Sequence, residues 1–124
     1  MYEVEITNRE TVVFVNSIRA RSFKGFCWLW WHVPVIIRSV KRHYGAYECI
    51  PALVNPLQIV MVSYWLSYRE LGEYYQSPFH WRLMDFVKRN PDALGMYFER
   101  YAPEKSGKYI NGEFGLAKNF RRKL

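Results

Sequence analysis

No CxxC pair, no CxxCH, no zinc-finger spacing and no unbroken run of about 20 apolar residues occurs in this chain. Two cysteines, Cys27 and Cys49, in 124 residues are too few for a disulfide framework. Both sit in apolar stretches, so reduced, buried thiols are expected, and a cytoplasmic setting with them. The strongest hydrophobic stretch, residues 26–37, is interrupted by His32 and Pro34, which argues against a membrane-spanning helix. Residues 1–10 mix charged and polar side chains and show no signal-peptide pattern. His32, His43 and His80 are the whole histidine supply; their spacing is not that of metal ligands, and no metal site is expected. A Ser-His-Asp hydrolase would need a nucleophile elbow, and there is none.

Aromatic residues are what the chain has in surplus. Ten Tyr, 8 Phe and 5 Trp make up 19% of it, and apolar residues 50%. Such a share in so small a domain calls for a ligand cavity, a partner surface or a membrane surface. The formal charge is +7 and the pI about 9.5, but the cations are dispersed. Only residues 118–124 form a dense basic patch, which reads as a frayed terminus. With no RNP box or KH loop beside them, these charges do not predict nucleic-acid binding.

Periodicity gives the order of elements. In residues 11–20, Val13, Val15 and Ser17 share one face, and Val12, Phe14, Asn16 and Ile18 the other. Both sides are mostly apolar, which predicts a strand covered on both faces. Gln58–Trp65 repeats the pattern, with Ile59, Met61, Ser63 and Trp65 opposed to Val60, Val62 and Tyr64. A further strand is expected over residues 47–50, and residues 51–56, with two prolines and an Asn, read as a hairpin-type loop. A last strand is expected over Leu94–Tyr101.

Residues 23–43 read as a helix apolar nearly all round, with Ser22 as N-cap and Gly45 as the C′ glycine. Pro34 should break or kink it, at a cost of roughly 3 kcal/mol, so residues 23–32 are expected as a separate piece. Ser67-Tyr68-Arg69-Glu70 is a capping box, and Ser77-Pro78 restarts a helix that Asn90-Pro91-Asp92 ends. The sum is a βαββαβ, ferredoxin-like α+β domain. Its core spans residues 11–101 within a single domain of 1–124, and residues 102–124 form an arm over its own surface or a partner.

Several short motifs carry a resemblance: Pro34-Val35, Ser63-Tyr64-Trp65-Leu66-Ser67, His80-Trp81, Glu99-Arg100-Tyr101, Tyr109-Ile110-Asn111 and Phe114-Gly115-Leu116. Over residues 12–117 the chain resembles a monooxygenase-like family of the dimeric α/β-barrel superfamily. It is similar to the antibiotic-biosynthesis monooxygenases and more distantly to spheroidene monooxygenase. The resemblance implies helices on one face of an antiparallel sheet, a second protomer on the other, and a ligand pocket between helices and sheet. Two departures stand out. Phe98 occupies the position before Glu99 where members often carry His, and the Asn-Met-Pro-Pro-type tail is reduced to Asn111-Gly112-Glu113.

Oxygenation of a phenol or enol without a cofactor needs a dry apolar cavity, a base, and donors that hold the anion. His80, His32, Tyr64 and Asn111 are the candidates for that polar work, with Trp28, Trp31, Trp65, Trp81 and Phe98 lining the substrate. Each has a plainer alternative: His32 as a core histidine on a backbone carbonyl, His80 on the surface, Asn111 shaping a turn, Tyr64 in sheet packing. Haem is the alternative cofactor, since the resemblance reaches spheroidene monooxygenase, which uses it. His32 or His80 would then be the axial ligand of a non-covalently held haem, with His43 a poorer choice. Binding of a hydrophobic molecule without turnover is the non-enzymatic reading. Another reading lays residues 26–31 on a membrane surface between Lys24 and the cations of residues 38–42.

Overall fold

The alternation in residues 11–20 becomes one of the two inner strands of a four-stranded antiparallel sheet. The structure, a computed structural model, describes residues 1–123. Strand β1 (Val12–Ala20) leads to helix α1 (Phe23–Arg42), the hairpin β2 (Ala46–Asn55) and β3 (Gln58–Trp65), helices α2 (Tyr68–Tyr75) and α3 (Pro78–Arg89), and β4 (Leu94–Tyr101). The sheet order is β2-β3-β1-β4, with β1 antiparallel to both β3 and β4. This is the ferredoxin-like α+β fold.

The helices cover the face that carries Phe14, Ile18, Ile59, Met61 and Trp65. Trp28, Leu29, Val33 and Ile36 of α1 pack there with Leu83 of α3. Gly25 permits the close approach of α1 to the start of β4, because a Cβ there would lie 1.8 Å from the Ala93 carbonyl oxygen. The second face carries Val13, Val15, Val60, Val62 and Tyr64. Its Tyr64 end lies under the chain's own termini, where Val4, Leu116, Ala117 and Phe120 form a separate cluster.

Several expectations need correction. α1 runs unbroken through Pro34. That proline faces solvent, where the carbonyl it leaves without a helical partner reaches water. β2 continues through Pro51 to Asn55, so the turn is only Pro56-Leu57, with Asn55 Oδ1 accepting from the Leu57 N–H at 2.8 Å. An edge strand tolerates proline because alternate backbone N–H groups have no partner strand. Gly45 is not in a left-handed conformation, and His43 caps α1 instead. What Gly45 provides is room, since a Cβ would meet Glu70 at 2.3 Å. Ser67 accepts from the Arg69 N–H rather than that of Glu70, while its hydroxyl bonds the Glu70 carboxylate. Cys27 is exposed, on the outer side of α1; Cys49 is buried, and burial pushes its thiol pKa up. The basic tail is anchored, with Phe120 buried and Arg122 bridged to Val4; Leu124 lies outside the described residues.

Candidate active site

α3 starts where it does because Ser77 accepts from the His80 N–H and Pro78 fits the first helical turn. That start sets His80 beside the end of α2 and opposite β4. A groove of about 400 Å³ opens there, lined by Tyr75, His80, Trp81, Met84, Lys88 and Phe98. Behind it lies a cavity of about 30 Å³, room for little more than a water, between the helices and the sheet. His80, Met84 and Phe98 border both spaces; Asn16, Ser63 and Trp65 line the inner one.

His80 sits in an aromatic frame, its ring centroid 4.8 Å from that of Tyr75 and 5.4 Å from that of Tyr74, both edge-on. Burial lowers its pKa below the ordinary histidine value, opposed in part by a hydrogen bond with the Tyr75 backbone. The imidazole is therefore neutral at neutral pH, in the form that accepts a proton. Burial also raises the Tyr75 phenol far above its usual value, with Tyr74 adding to the shift. Tyr75 thus stays a neutral hydrogen-bond donor.

The structure brings together only part of the set expected from sequence. His80, Trp81 and Phe98 line the groove, and Trp65 the inner cavity. Trp65 is fully buried and donates its indole N–H to Ser63 Oγ at 2.9 Å. His32 is elsewhere: its Nδ1 lies 2.8 Å from the Trp28 carbonyl oxygen, and its ring stacks on Trp28. Trp28 itself is core, stacked on Phe86, and Trp31 stands in solvent on the outer side of α1. Tyr64 points to the opposite face of the sheet, near Tyr47 and beneath Gly115. Asn111 holds a left-handed turn (φ 55°) beside Tyr2 and Arg122, away from the groove.

Two groups at the site were not anticipated. Asn16 is nine-tenths buried on β1 and lines the inner cavity. The signal was available: an amide inside the apolar run Val12, Phe14, Ile18. The second is Tyr75, the last residue of α2, which lines the groove. Among the described residues no three His, Cys, Asp or Glu side chains converge as a metal site, and no helix is long and apolar enough to cross a membrane. Of the two histidines proposed for haem, His80 borders the groove and is the side chain that would hold such a group there, while His32 is turned onto Trp28.

The fold, an open antiparallel sheet with helices on one side, is shared with solved structures described as a candidate antibiotic biosynthesis monooxygenase and a cofactor-independent oxygenase. No family model and no curated protein matches the chain. Among solved structures, it is similar to a candidate antibiotic biosynthesis monooxygenase from Deinococcus radiodurans, with TM-score 0.62 and 17% identity over 81% of this chain and 96% of that one. It is similar to SnoaB, a cofactor-independent oxygenase from Streptomyces nogalater, with TM-score 0.60 and 9% identity over 83% and 99%. Protein SO0527 from Shewanella oneidensis matches with TM-score 0.60 and 17% identity over 83% and 97%. At these identities the likeness carries the fold, and the reaction has to be argued from the site.

Proposed function

We propose that the chain oxidises a hydrophobic, aromatic or polyene-like small molecule in the groove between α2, α3 and β4, in the manner of a monooxygenase. The observation that carries this is His80: a half-buried imidazole, held neutral by desolvation, at the junction of an apolar groove and an amide-lined cavity. For a substrate with an acidic CH₂ flanked by aromatic rings, His80 takes the proton and leaves a delocalised carbanion. The carbanion gives one electron to O₂, and the radical pair recombines as a hydroperoxide. Proton return and loss of water leave a ketone, so that R₂CH₂ and O₂ become R₂CO and H₂O, with substrate as the only reductant. Asn16 and Tyr75 supply donors for the oxyanion, and Phe14, Met84 and Phe98 keep the site apolar.

An anthrone incubated with the protein under isotopically heavy O₂ tests the reading. One heavy oxygen atom in each ketone formed, with one O₂ consumed per product, is the expected result. Anthrone and hydroquinone probes that bind without O₂ uptake above the buffer rate would point instead to a carrier. The second reading, haem held by His80, is favoured by that same ring, since the Tyr75 backbone engages the imidazole and would fix its orientation toward the group. Haem would supply redox chemistry that the side chains lack, and a saturable Soret band on hemin titration, lost in His80→Ala, distinguishes it.

We further propose a homodimer in which a second copy covers the remaining sheet face. Val13, Val15, Val60 and Val62 are only half-covered there, and Tyr97 and Tyr101 are exposed. An isologous contact on that face would account for strands apolar on both sides. Sedimentation is expected to give twice 15.0 kDa for the native chain and 15.0 kDa for Val15→Glu; a monomeric native chain would exclude the contact.

A further inference from the structure

The outer side of α1 is the least expected surface of the molecule. Its inner side packs Trp28, Leu29, Val33 and Ile36 against the sheet. Yet Phe23, Cys27, Trp30, Trp31, Pro34 and Val35, spaced three and four apart, form a second apolar stripe facing solvent. Phe23 is 80% exposed and Trp31 79%. The alternative reading that lays residues 26–31 partly on a membrane surface treats them as one block; the helix divides that block, with Trp28 and Leu29 inside and Trp30 and Trp31 outside.

The stripe does not end at the helix. Trp30 donates its indole N–H to the Pro56 carbonyl at 2.9 Å, which joins it to the tip of the β2–β3 hairpin, where Leu53 and Leu57 are also exposed. Along the same side, the last turns of α1 carry Arg38, Lys41 and Arg42, none of which forms an ion pair among the described residues. No Asp or Glu occurs anywhere in α1. Aromatic rings continuous with unpaired cations, on a helix too polar overall to cross a bilayer, are the chemistry of the water–lipid interface.

We propose that this face docks on an anionic lipid bilayer, with Phe23, Trp30 and Trp31 at the headgroup level and Arg38, Lys41 and Arg42 on the lipid phosphates. A second copy is the poorer occupant of this face, since it would set the same unpaired Arg38, Lys41 and Arg42 against one another. The surface is also separate from the sheet face assigned above to the dimer, which lies across the sheet from the helices.

The test is co-sedimentation of the full chain with vesicles of phosphatidylcholine alone and of phosphatidylcholine with phosphatidylglycerol. Binding is expected on the anionic vesicles. Phe23→Ser with Trp31→Ser should weaken it at least about tenfold, by removing apolar area that would otherwise leave water. Arg38→Gln with Arg42→Gln should weaken it on anionic vesicles, and added salt should mimic that loss. The side chains of Phe23 and Trp31 lie in water, so circular dichroism and thermal melting of the serine variant should match the parent. No binding to either vesicle would overturn the proposal, as would binding that the serine pair leaves unchanged. A concentration-dependent oligomer abolished by Trp31→Ser would overturn it too, by assigning the face to another copy.

Discussion

His80→Ala is expected to lower kcat for anthrone oxygenation by about 100-fold or more, the scale of a lost general base, with KM changed far less. The imidazole borders both the groove and the inner cavity, so it can touch the reacting carbon while the aromatic walls bind the rest of the substrate. The pH profile is the more specific readout. Burial holds the His80 pKa below the ordinary histidine value, so the base stays deprotonated down through the mildly acidic range. The rate should be flat around neutrality and fall only below the usual histidine midpoint. In the unfolded chain the same histidine binds a proton more readily than in the folded one. Stability should therefore be full above the unfolded value and decline as pH falls through the window beneath it. A profile with an acid limb at or above the ordinary histidine pKa would remove His80 from the role, as would unchanged turnover in the alanine variant.

Trp65→Ala is expected to cost about 3–5 kcal/mol, the range for deleting a large buried ring, out of a total near 5–15 kcal/mol. Trp65 has no exposed surface, packs its ring within 5.6 Å of Tyr74 and 5.2 Å of His43, and lines the cavity behind His80. Its removal leaves a void that a sheet and two helices cannot close, and it takes the donor away from Ser63 Oγ. Trp65→Phe keeps most of the volume and should cost about 1–2 kcal/mol through the lost hydrogen bond and imperfect packing. Urea melts of the two variants check this. A loss below about 1 kcal/mol for the alanine variant would mean that the inner cavity is larger and more pliable than the packing implies.

The two departures from the pattern that the sequence resembles have different weight in three dimensions. Phe98, standing where a His is frequent, forms the groove wall and stacks on Phe14 with ring centroids 6.0 Å apart. An apolar wall there leaves His80 as the imidazole of the groove. The shortened Asn111-Gly112-Glu113 segment lies with Tyr2 and Arg122, outside the groove. In the proposed chemistry the first departure shapes substrate binding and the second plays no part.

The sequence by itself determined the order of elements, because strand alternation, serine caps and proline or glycine breaks are local signals. β3 and β4 occupy the expected residues, β1 differs by one residue at its start, and Ser22, Ser67 and Ser77 cap the three helices. Local rules failed where tertiary contacts override them: Pro34 is tolerated because it faces water, and Pro51 because β2 is an edge strand. Alternation also showed that Tyr64 and Trp65 point to opposite sides of the sheet, but with both sides apolar it could not say which one the helices take. That decided the site. Packing α1 and α3 on the Phe14 and Trp65 side moved Tyr64 beneath the C-terminal arm, and it brought Asn16 and His80, 64 residues apart in sequence, to one cavity. Periodicity reports which residues share a face of one element; which faces meet depends on how the whole chain buries its apolar surface.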